Sequence, residues 1–227
     1  MMHGHDESLA LWHAFFLAPY LSRQLMRDLR PAFLSMIGQW GQADMVRTTN
    51  QMFGVALLYY PTLLSEEEIG EFMRRASGKD LRHLGWFLAD KMKNDAGLWR
   101  KRVLPILKKI WPSSIPKTNK DSVNGLIKIT LQTNQDFPSA IAVITRRALL
   151  GPIEDCSLAF SLLGSSKYVT IFPQDVLVVL DAIVPTELPP YDASPLRETL
   201  DDIGIANPAL IQDPHMIALR RRTPGQG

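Results

Sequence analysis

Proline is the residue that most restricts what this chain can fold into. Sixteen prolines are spread along 227 residues, beside 14 glycines. A proline inside an α-helix removes a backbone hydrogen bond and clashes with the preceding turn, and a proline in a central strand interrupts the ladder of hydrogen bonds. The sequence therefore predicts short helices and argues against long central strands. Helix ends are predicted at Pro31, Pro61, Pro112 and Pro185.

Apolar residues recur at helical spacing between the prolines, as in the segment Lys79–Lys93. Ser65 followed by Glu68 is the pattern of a capping box at a helix start. One segment, Tyr168–Phe172, is a candidate strand. The predicted fold class is therefore all-α, built of irregular helix pairs. Further helices are predicted over Asp44–Tyr60, Leu98–Trp111, Ser122–Thr133 (capped by Asp121), Leu196–Ile203 and Pro214–Arg222, with a proline-rich loop over Thr186–Pro195.

Two helix starts in the C-terminal half share one pattern. Phe137-Pro138 and Phe172-Pro173 each precede a run of apolar residues, and they lie 35 residues apart without a gap. Leu104-Pro105 is a weaker copy upstream. Units of about 33 to 47 residues built from helix pairs are typical of α-solenoids. The pattern predicts a HEAT-like α-solenoid in the C-terminal half, although two Phe-Pro starts could also coincide by chance.

The length fits one large domain or two small ones. Residues 1–94 are predicted to form an N-terminal helical bundle or the first repeat units, and residues 95–222 the HEAT-like helical repeat region. Residues 223–227 are predicted to be a flexible tail. The segment Pro112–Asn119 contains two prolines and two serines, and it is the best candidate for a linker.

Several structural motifs between Trp99 and about Arg220 occur together. They are Trp99, Trp111-Pro112, Phe137-Pro138, Phe172-Pro173, Leu180-Asp181-Ala182-Ile183 and Asp213-Pro214. This region resembles the C-terminal helical-repeat region of large multidomain bacterial proteins of the phage-defence type. The resemblance covers roughly half the chain and implies a helical scaffold without a reaction of its own. The enzymatic part of such proteins lies upstream, so the chain would be a free-standing remnant, an excised piece or a separate subunit.

The sequence contains no strong catalytic or cofactor-binding motif: no phosphate-binding loop, no Gly-x-Gly-x-x-Gly, no paired Cys-x-x-Cys and no His-Glu-x-x-His. His3, His5 and His13 could gather a metal ion, but a solvated terminus is the simpler interpretation. Cys156 has no histidine near it in sequence, so a buried or idle thiol is expected. Prolines flank Ser114 and break its Ser-x-x-Lys pattern. We predict no catalytic residue, no metal ligand and no cofactor.

Charge is unevenly distributed along the chain, although 25 basic residues nearly balance 23 acidic ones. Residues 91–128 carry ten basic and two acidic side chains, while acidic residues outnumber basic ones both before and after this stretch. The sequence places Lys101 and Lys108 on one side of the predicted helix Leu98–Trp111, opposite an apolar stripe that includes Trp99 and Trp111. Residues predicted to contact phosphate or an acidic partner are Arg100, Lys101, Arg102, Lys108, Lys109, Lys117 and Lys120.

This basic stretch has three interpretations: a phosphate-tracking surface, a solvated helix face, or a contact for an acidic partner such as the chain's own C-terminal third. The two tryptophans are expected in the core rather than in a base-stacking platform. The predicted function is a non-catalytic helical scaffold or protein-interaction module, with a place in a bacterial defence assembly implied by the resemblance. The alternative is a nucleic-acid-binding accessory protein that uses the basic stretch, and an enzyme comes third.

One cysteine allows no internal disulfide and favours a reducing compartment. No stretch reaches the roughly 20 apolar residues that a membrane helix needs. The N-terminus begins with two methionines, two histidines and two acids, without the positive region of a secretory signal. We therefore predict a cytoplasmic protein that has no membrane contact.

Overall fold

The computed structural model describes residues 24, 28, 30–32, 34, 35, 48–59, 64–109, 111, 120–147, 153 and 156–223, and their regular structure is helical throughout. The predicted all-α class is therefore confirmed for this part of the chain. The α-helices are α1 (Thr48–Tyr59), α2 (Glu66–Arg75), α3 (Gly78–Asn94), α4 (Leu104–Lys109), α5 (Lys120–Thr130), α6 (Phe137–Arg147), α7 (Ser157–Gly164), α8 (Tyr168–Ile171), α9 (Pro173–Ile183), α10 (Pro190–Ala206) and α11 (Pro214–Arg222). A π-helical turn spans Trp99–Val103, and 3₁₀ turns span Asn134–Asp136 and Pro208–Gln212.

The helix start predicted at Ser65 is confirmed as a capping box. The Ser65 Oγ accepts a hydrogen bond from the Glu68 amide at 3.1 Å, and a Glu68 carboxylate oxygen accepts one from the Ser65 amide at 2.8 Å. Ser77 and Asp80 repeat the arrangement at the start of α3. Each serine cap stabilises its helix by about 1 kcal/mol.

The candidate strand is wrong, because Tyr168–Ile171 forms the short helix α8. Tyr168 and Val169 are buried next to each other while Thr170 and Ile171 are exposed, which is a helical pattern and not an alternating one. Asp121 is also not a cap, since it lies within the first turn of α5. There its carboxylate accepts a hydrogen bond at 2.7 Å from Arg82 of α3.

The predicted loop over Thr186–Pro195 is also wrong in its second half. The helix α10 begins at Pro190, whose fixed φ suits the first turn and whose missing N–H would have no partner there. Pro195 lies inside the same helix on its exposed side. Local composition favoured a loop, but burial of Leu196, Leu200 and Ile203 holds the segment helical.

The main contacts join helices that are two or three positions apart along the chain, so that the helices lie in two rows. We call α3, α5, α7 and α10 the first row, because α3 contacts α5, α5 contacts α7, and α7 contacts α10. We call α4, α6, α9 and α11 the second row, because they contact one another in the same successive way. Contacts of α5 with α6, α9 with α10, and α10 with α11 connect the rows, and α8, which belongs to neither row, contacts α9 and α10.

Three second-row helices have a proline in their first turn, within the pairs Phe137-Pro138, Phe172-Pro173 and Asp213-Pro214. The fourth, α4, continues the π turn Trp99–Val103 without a break, so Leu104-Pro105 lies inside a helical segment. The predicted Phe-Pro starts are confirmed as helix starts, and the two phenylalanine rings stack on each other with centroids 5.7 Å apart. The two starts therefore meet in space and differ in backbone, since Phe137 is already helical while Phe172, with φ −132° and ψ 55°, is neither helical nor extended.

One continuous hydrophobic core extends from Phe53 in α1 to Leu219 in α11. The most extensive helix contact, between α3 and α5, crosses the predicted boundary at residue 94. The division into residues 1–94 and 95–222 stays a prediction. Of the helices that the structure describes, none is both long enough and apolar enough to cross a membrane.

Candidate interaction surface

The basic stretch is carried by the π turn Trp99–Val103 and by α4, and not by one regular helix. The Leu104 amide donates to the Trp99 carbonyl, five residues back. In a regular α-helix the ring of Pro105 would clash with the carbonyl of Lys101, and the wider π turn relieves that contact. A π turn holds more residues than an α turn, so Lys101 and Lys108 are less closely aligned than their seven-residue spacing predicts.

Trp99 and Trp111 are core residues, as predicted. Each is 2% exposed, and both belong to the continuous hydrophobic core. Val103, Ile106 and Leu107 are buried on the same side. The tryptophans therefore fix the π turn and α4 against the core, and they are not available to stack on bases.

Arg100 is already paired within the chain. Its guanidinium donates two hydrogen bonds to the Asp136 carboxylate, Nε to Oδ2 at 2.9 Å and Nη2 to Oδ1 at 2.7 Å. These hydrogen bonds hold the pKa of Asp136 below its ordinary value, and they raise the pKa of Arg100. Lys109 is also paired, with its Nζ 3.1 Å from Glu66 at the start of α2. Two of the predicted contact residues therefore join the basic stretch to acidic residues on either side of it in sequence.

Lys101 and Lys108 are exposed, and neither has an ion-pair partner among the residues that the structure describes. Arg102 is half-buried. Lys117 lies outside the described residues, and the same holds for the side chain of Lys120, the first residue of α5. Lys101 and Lys108 are thus the described lysines of this stretch that are free to meet a partner.

Other basic side chains near this surface lie over aromatic rings. Lys128 of α5 lies over the Trp86 ring of α3, with its Nζ 5.8 Å from the ring centroid, and Lys91 lies over Phe87 at 5.3 Å. Trp86 is 43% exposed, so the Lys128 contact covers part of a large apolar ring. Lys91 and Lys128 therefore stabilise the surface of α3, and they do not add to the surface formed by Lys101 and Lys108.

The residues considered for chemistry do not converge on a site. Cys156 is buried as expected, at the N-terminal cap of α7. Among the described residues no group of three or more His, Cys, Asp or Glu side chains could hold a metal ion. His3, His5, His13 and Ser114 lie outside those residues.

His215 contributes to holding the last helix in place. Its Nδ1 lies 2.7 Å from Asp181 Oδ2, and Arg222 donates to Asp181 Oδ1 at 2.8 Å. Arg222 also donates to the Val184 carbonyl at 3.0 Å. This cluster fastens α11 to the end of α9, which gives these polar groups a structural role.

The outer face of α10 is a second surface, and sequence reasoning missed it. Its exposed residues include Tyr191, Glu198, Asp202 and Ile205. These four recur at intervals of seven, four and three, which is a signal of one helix face. The prolines of Thr186–Pro195 favour a loop, so the predicted helix begins only at Leu196 and leaves out Tyr191.

A comparison of the chain with known protein families, curated proteins and solved structures found no match. The resemblance to the helical-repeat region of phage-defence proteins therefore stays a prediction.

Proposed function

We propose that this chain is a non-catalytic helical scaffold that docks a partner protein on the outer faces of a HEAT-like array. The observation that carries the proposal is the contact pattern, in which the helices form two rows. A proline in the first turn of α6, α9 and α11 supports a repeated unit of structure. Such arrays use their extended surfaces to bind other macromolecules.

The test is to isolate the tagged full-length chain at native expression and determine what accompanies it. We expect one protein at fixed stoichiometry, retained by a control variant such as Lys79→Glu on the exposed start of α3. A substitution on a free surface, Lys101→Glu with Lys108→Glu or Glu198→Lys with Asp202→Lys, should remove that protein. A chain that purifies alone and stays monomeric at native expression would contradict the proposal.

A nucleic-acid-binding accessory is the second candidate, and the exposed pair Lys101 and Lys108 favours it. Phosphate contacts release counterions, so binding of a labelled single strand should weaken steeply between about 50 and about 200 mM salt. Lys101→Glu with Lys108→Glu should then abolish binding while the unfolding midpoint stays unchanged. Binding that ignores both salt and the substitutions would eliminate this candidate. Pairing of Arg100 and Lys109 with Asp136 and Glu66 leaves it weaker than the scaffold.

The place of the scaffold in a bacterial defence assembly, and its cytoplasmic location, stay predictions. Identifying the accompanying protein tests the first, because a severed enzymatic subunit is what the resemblance implies. Fractionation of the native host with an antibody to the chain tests the second.

A further inference from the structure

The helix α10 is amphipathic, and its outer face combines acidic side chains with large exposed apolar ones. Leu196, Leu200 and Ile203 are buried against the rest of the array. On the opposite side Tyr191 is 67% exposed and Ile205 is 78% exposed. At about 1.5 Å per residue these two side chains lie roughly 21 Å apart along the helix.

α10 is the last helix of the first row, and the exposure of Tyr191 and Ile205 means that no described element covers this face. Tyr191 and Ile205 are too far apart to form one apolar patch, but side chains this exposed are available for contact with another molecule. Tyr191 and Ile205 are well placed to act as the two ends of such a contact.

The exposed charged side chains between Tyr191 and Ile205 are acidic, so this face favours a basic partner. Glu198, Asp201 and Asp202 are exposed there. Asp201 accepts a hydrogen bond at 2.7 Å from Arg220, and Glu198 accepts one from Ser194. Asp202 has no ion-pair partner among the described residues. The face therefore has negative charge that the described part of its own chain does not neutralise.

The same chain has a basic counterpart. Lys101 and Lys108 are exposed on the π turn and α4, which stand at the beginning of the second row, whereas α10 stands at the end of the first. The two lysines lie about 10 Å apart along the segment, within the roughly 21 Å that Tyr191 and Ile205 delimit. Two different surfaces with opposite charge on one chain permit head-to-tail association.

We propose that the outer face of α10 docks the Lys101–Lys108 surface of a second copy of this chain. This names the partner class for the docking function proposed above and rests on that function. Tyr191 and Ile205 supply apolar contact at the two ends, and the acidic residues between them pair with the two lysines. Because the surfaces differ, the contact is heterologous and leads to a ring or an open chain of copies.

The test is sedimentation velocity of the purified full chain over a range of concentrations at low and high salt. We expect a mass above that of the monomer that rises with concentration and falls as salt rises, because the charge contacts are screened. Glu198→Lys with Asp202→Lys should raise the apparent dissociation constant at least about tenfold, and so should Lys101→Glu with Lys108→Glu. The control is Lys79→Glu with Asp90→Lys on α3, which should leave association unchanged.

Mixing the two charge-reversed variants provides the decisive result. One then has two basic surfaces and the other two acidic ones, so neither associates alone and the mixture does. Wild-type unfolding midpoints in both variants exclude misfolding. Ile205→Ser should weaken association with little change in its salt dependence.

Two results would overturn the proposal: a monomer at every concentration and salt, or association that the charge reversals do not alter. A monomer that still binds a different protein in native isolation, and loses it in Glu198→Lys with Asp202→Lys, overturns the second copy as occupant but leaves the docking function standing. A monomer that binds nothing overturns both.

Discussion

Neighbouring helices touch through backbone atoms in the first row and through aromatic side chains in the second row. In the first row α3 and α5 meet backbone to backbone, since a Cβ atom at Gly85 would lie 2.7 Å from the backbone of Gly125. In the second row the starts of α6 and α9 meet through aromatic rings, and Tyr168 of α8 joins the same stack. Phe137 stacks on Tyr168 with centroids 4.3 Å apart, and on Phe172 at 5.7 Å.

The difference shows how much each contact can adjust. Atoms of a helix backbone cannot move aside singly, so the glycine contact tolerates no added atom without separating two helices. A side-chain stack can repack when one ring is changed, and its cost depends on how deeply that ring is buried. The first row should therefore be sensitive to adding a methyl group, and the second row to removing a ring.

The largest effect is expected for Gly85→Ala. The new methyl group would overlap the Gly125 backbone, so α3 and α5 must separate and we expect a loss of about 3 kcal/mol or more, as for severe overpacking. Chemical denaturation measures the free energy of unfolding. The matched control is Gly70→Ala in α2, where the nearest atom to a new Cβ is an Arg74 guanidinium nitrogen at 3.5 Å. This control should stabilise the chain by about 0.5 to 1 kcal/mol, because alanine favours helix over glycine.

Phe137→Ala should have an effect of comparable size. Phe137 is fully buried, so the loss should be about 3 to 5 kcal/mol, whereas Phe172→Ala removes a half-buried ring and should lower stability by less. The comparison is made by denaturation of both variants under identical conditions. Equal losses would mean that the two Phe-Pro starts are equivalent in packing as well as in sequence.

Tyr168→Phe tests the polar part of the same stack. The Tyr168 hydroxyl donates to the Leu131 carbonyl at 3.2 Å and accepts from the Asn134 amide at 3.1 Å. Burial raises the pKa of Tyr168, so the hydroxyl stays protonated near neutral pH. Removing it should lower the free energy of unfolding by about 1 kcal/mol while the helix content measured by circular dichroism stays the same. A loss as large as that of Phe137→Ala would mean that the Tyr168 hydroxyl contributes as much stability as the buried Phe137 ring.

The smallest effect is a pH dependence at the edge of the second row. Arg100 lowers the pKa of Asp136 in the folded chain. The pair therefore contributes stability above the ordinary carboxyl pKa, and that contribution is lost as pH falls through the lowered value. Asp136→Asn should flatten the acid side of a stability–pH curve without a change in the helix fold. An unchanged curve would mean that the exposed ion pair of Arg100 with Asp136 contributes no net stability to the folded chain.

The sequence was informative where one residue type has one strong local role. Ser65 with Glu68 predicted a helix start, and proline after Phe137 and Phe172 did the same, because caps and first turns depend on neighbours in sequence. The burial of Trp99 and Trp111 followed from apolar spacing. These features need no knowledge of distant residues.

Features that depend on a second segment could not be predicted in this way. Gly85 and Gly125 are ordinary glycines until α3 and α5 are brought together. Pro105 lies inside the helix predicted over Leu98–Trp111, but the sequence did not predict the π turn Trp99–Val103 that accommodates it. For α10, the prolines outweighed the periodicity of Tyr191, Glu198 and Ile205, so the acidic face was missed.

The glycine contact between α3 and α5 also has an evolutionary consequence. A Cβ atom at position 85 would meet the backbone of Gly125, and one at position 125 would lie 2.9 Å from the backbone of Leu81 and Arg82, so both positions exclude side chains while α3 and α5 stay in place. Sequence divergence can erase surface charge and exchange core residues of similar volume, but it should leave this pair intact. The two glycines lie 40 positions apart, and prolines stand at positions 105, 138, 173 and 214. Together these residues form a signature by which remote descendants could be recognised.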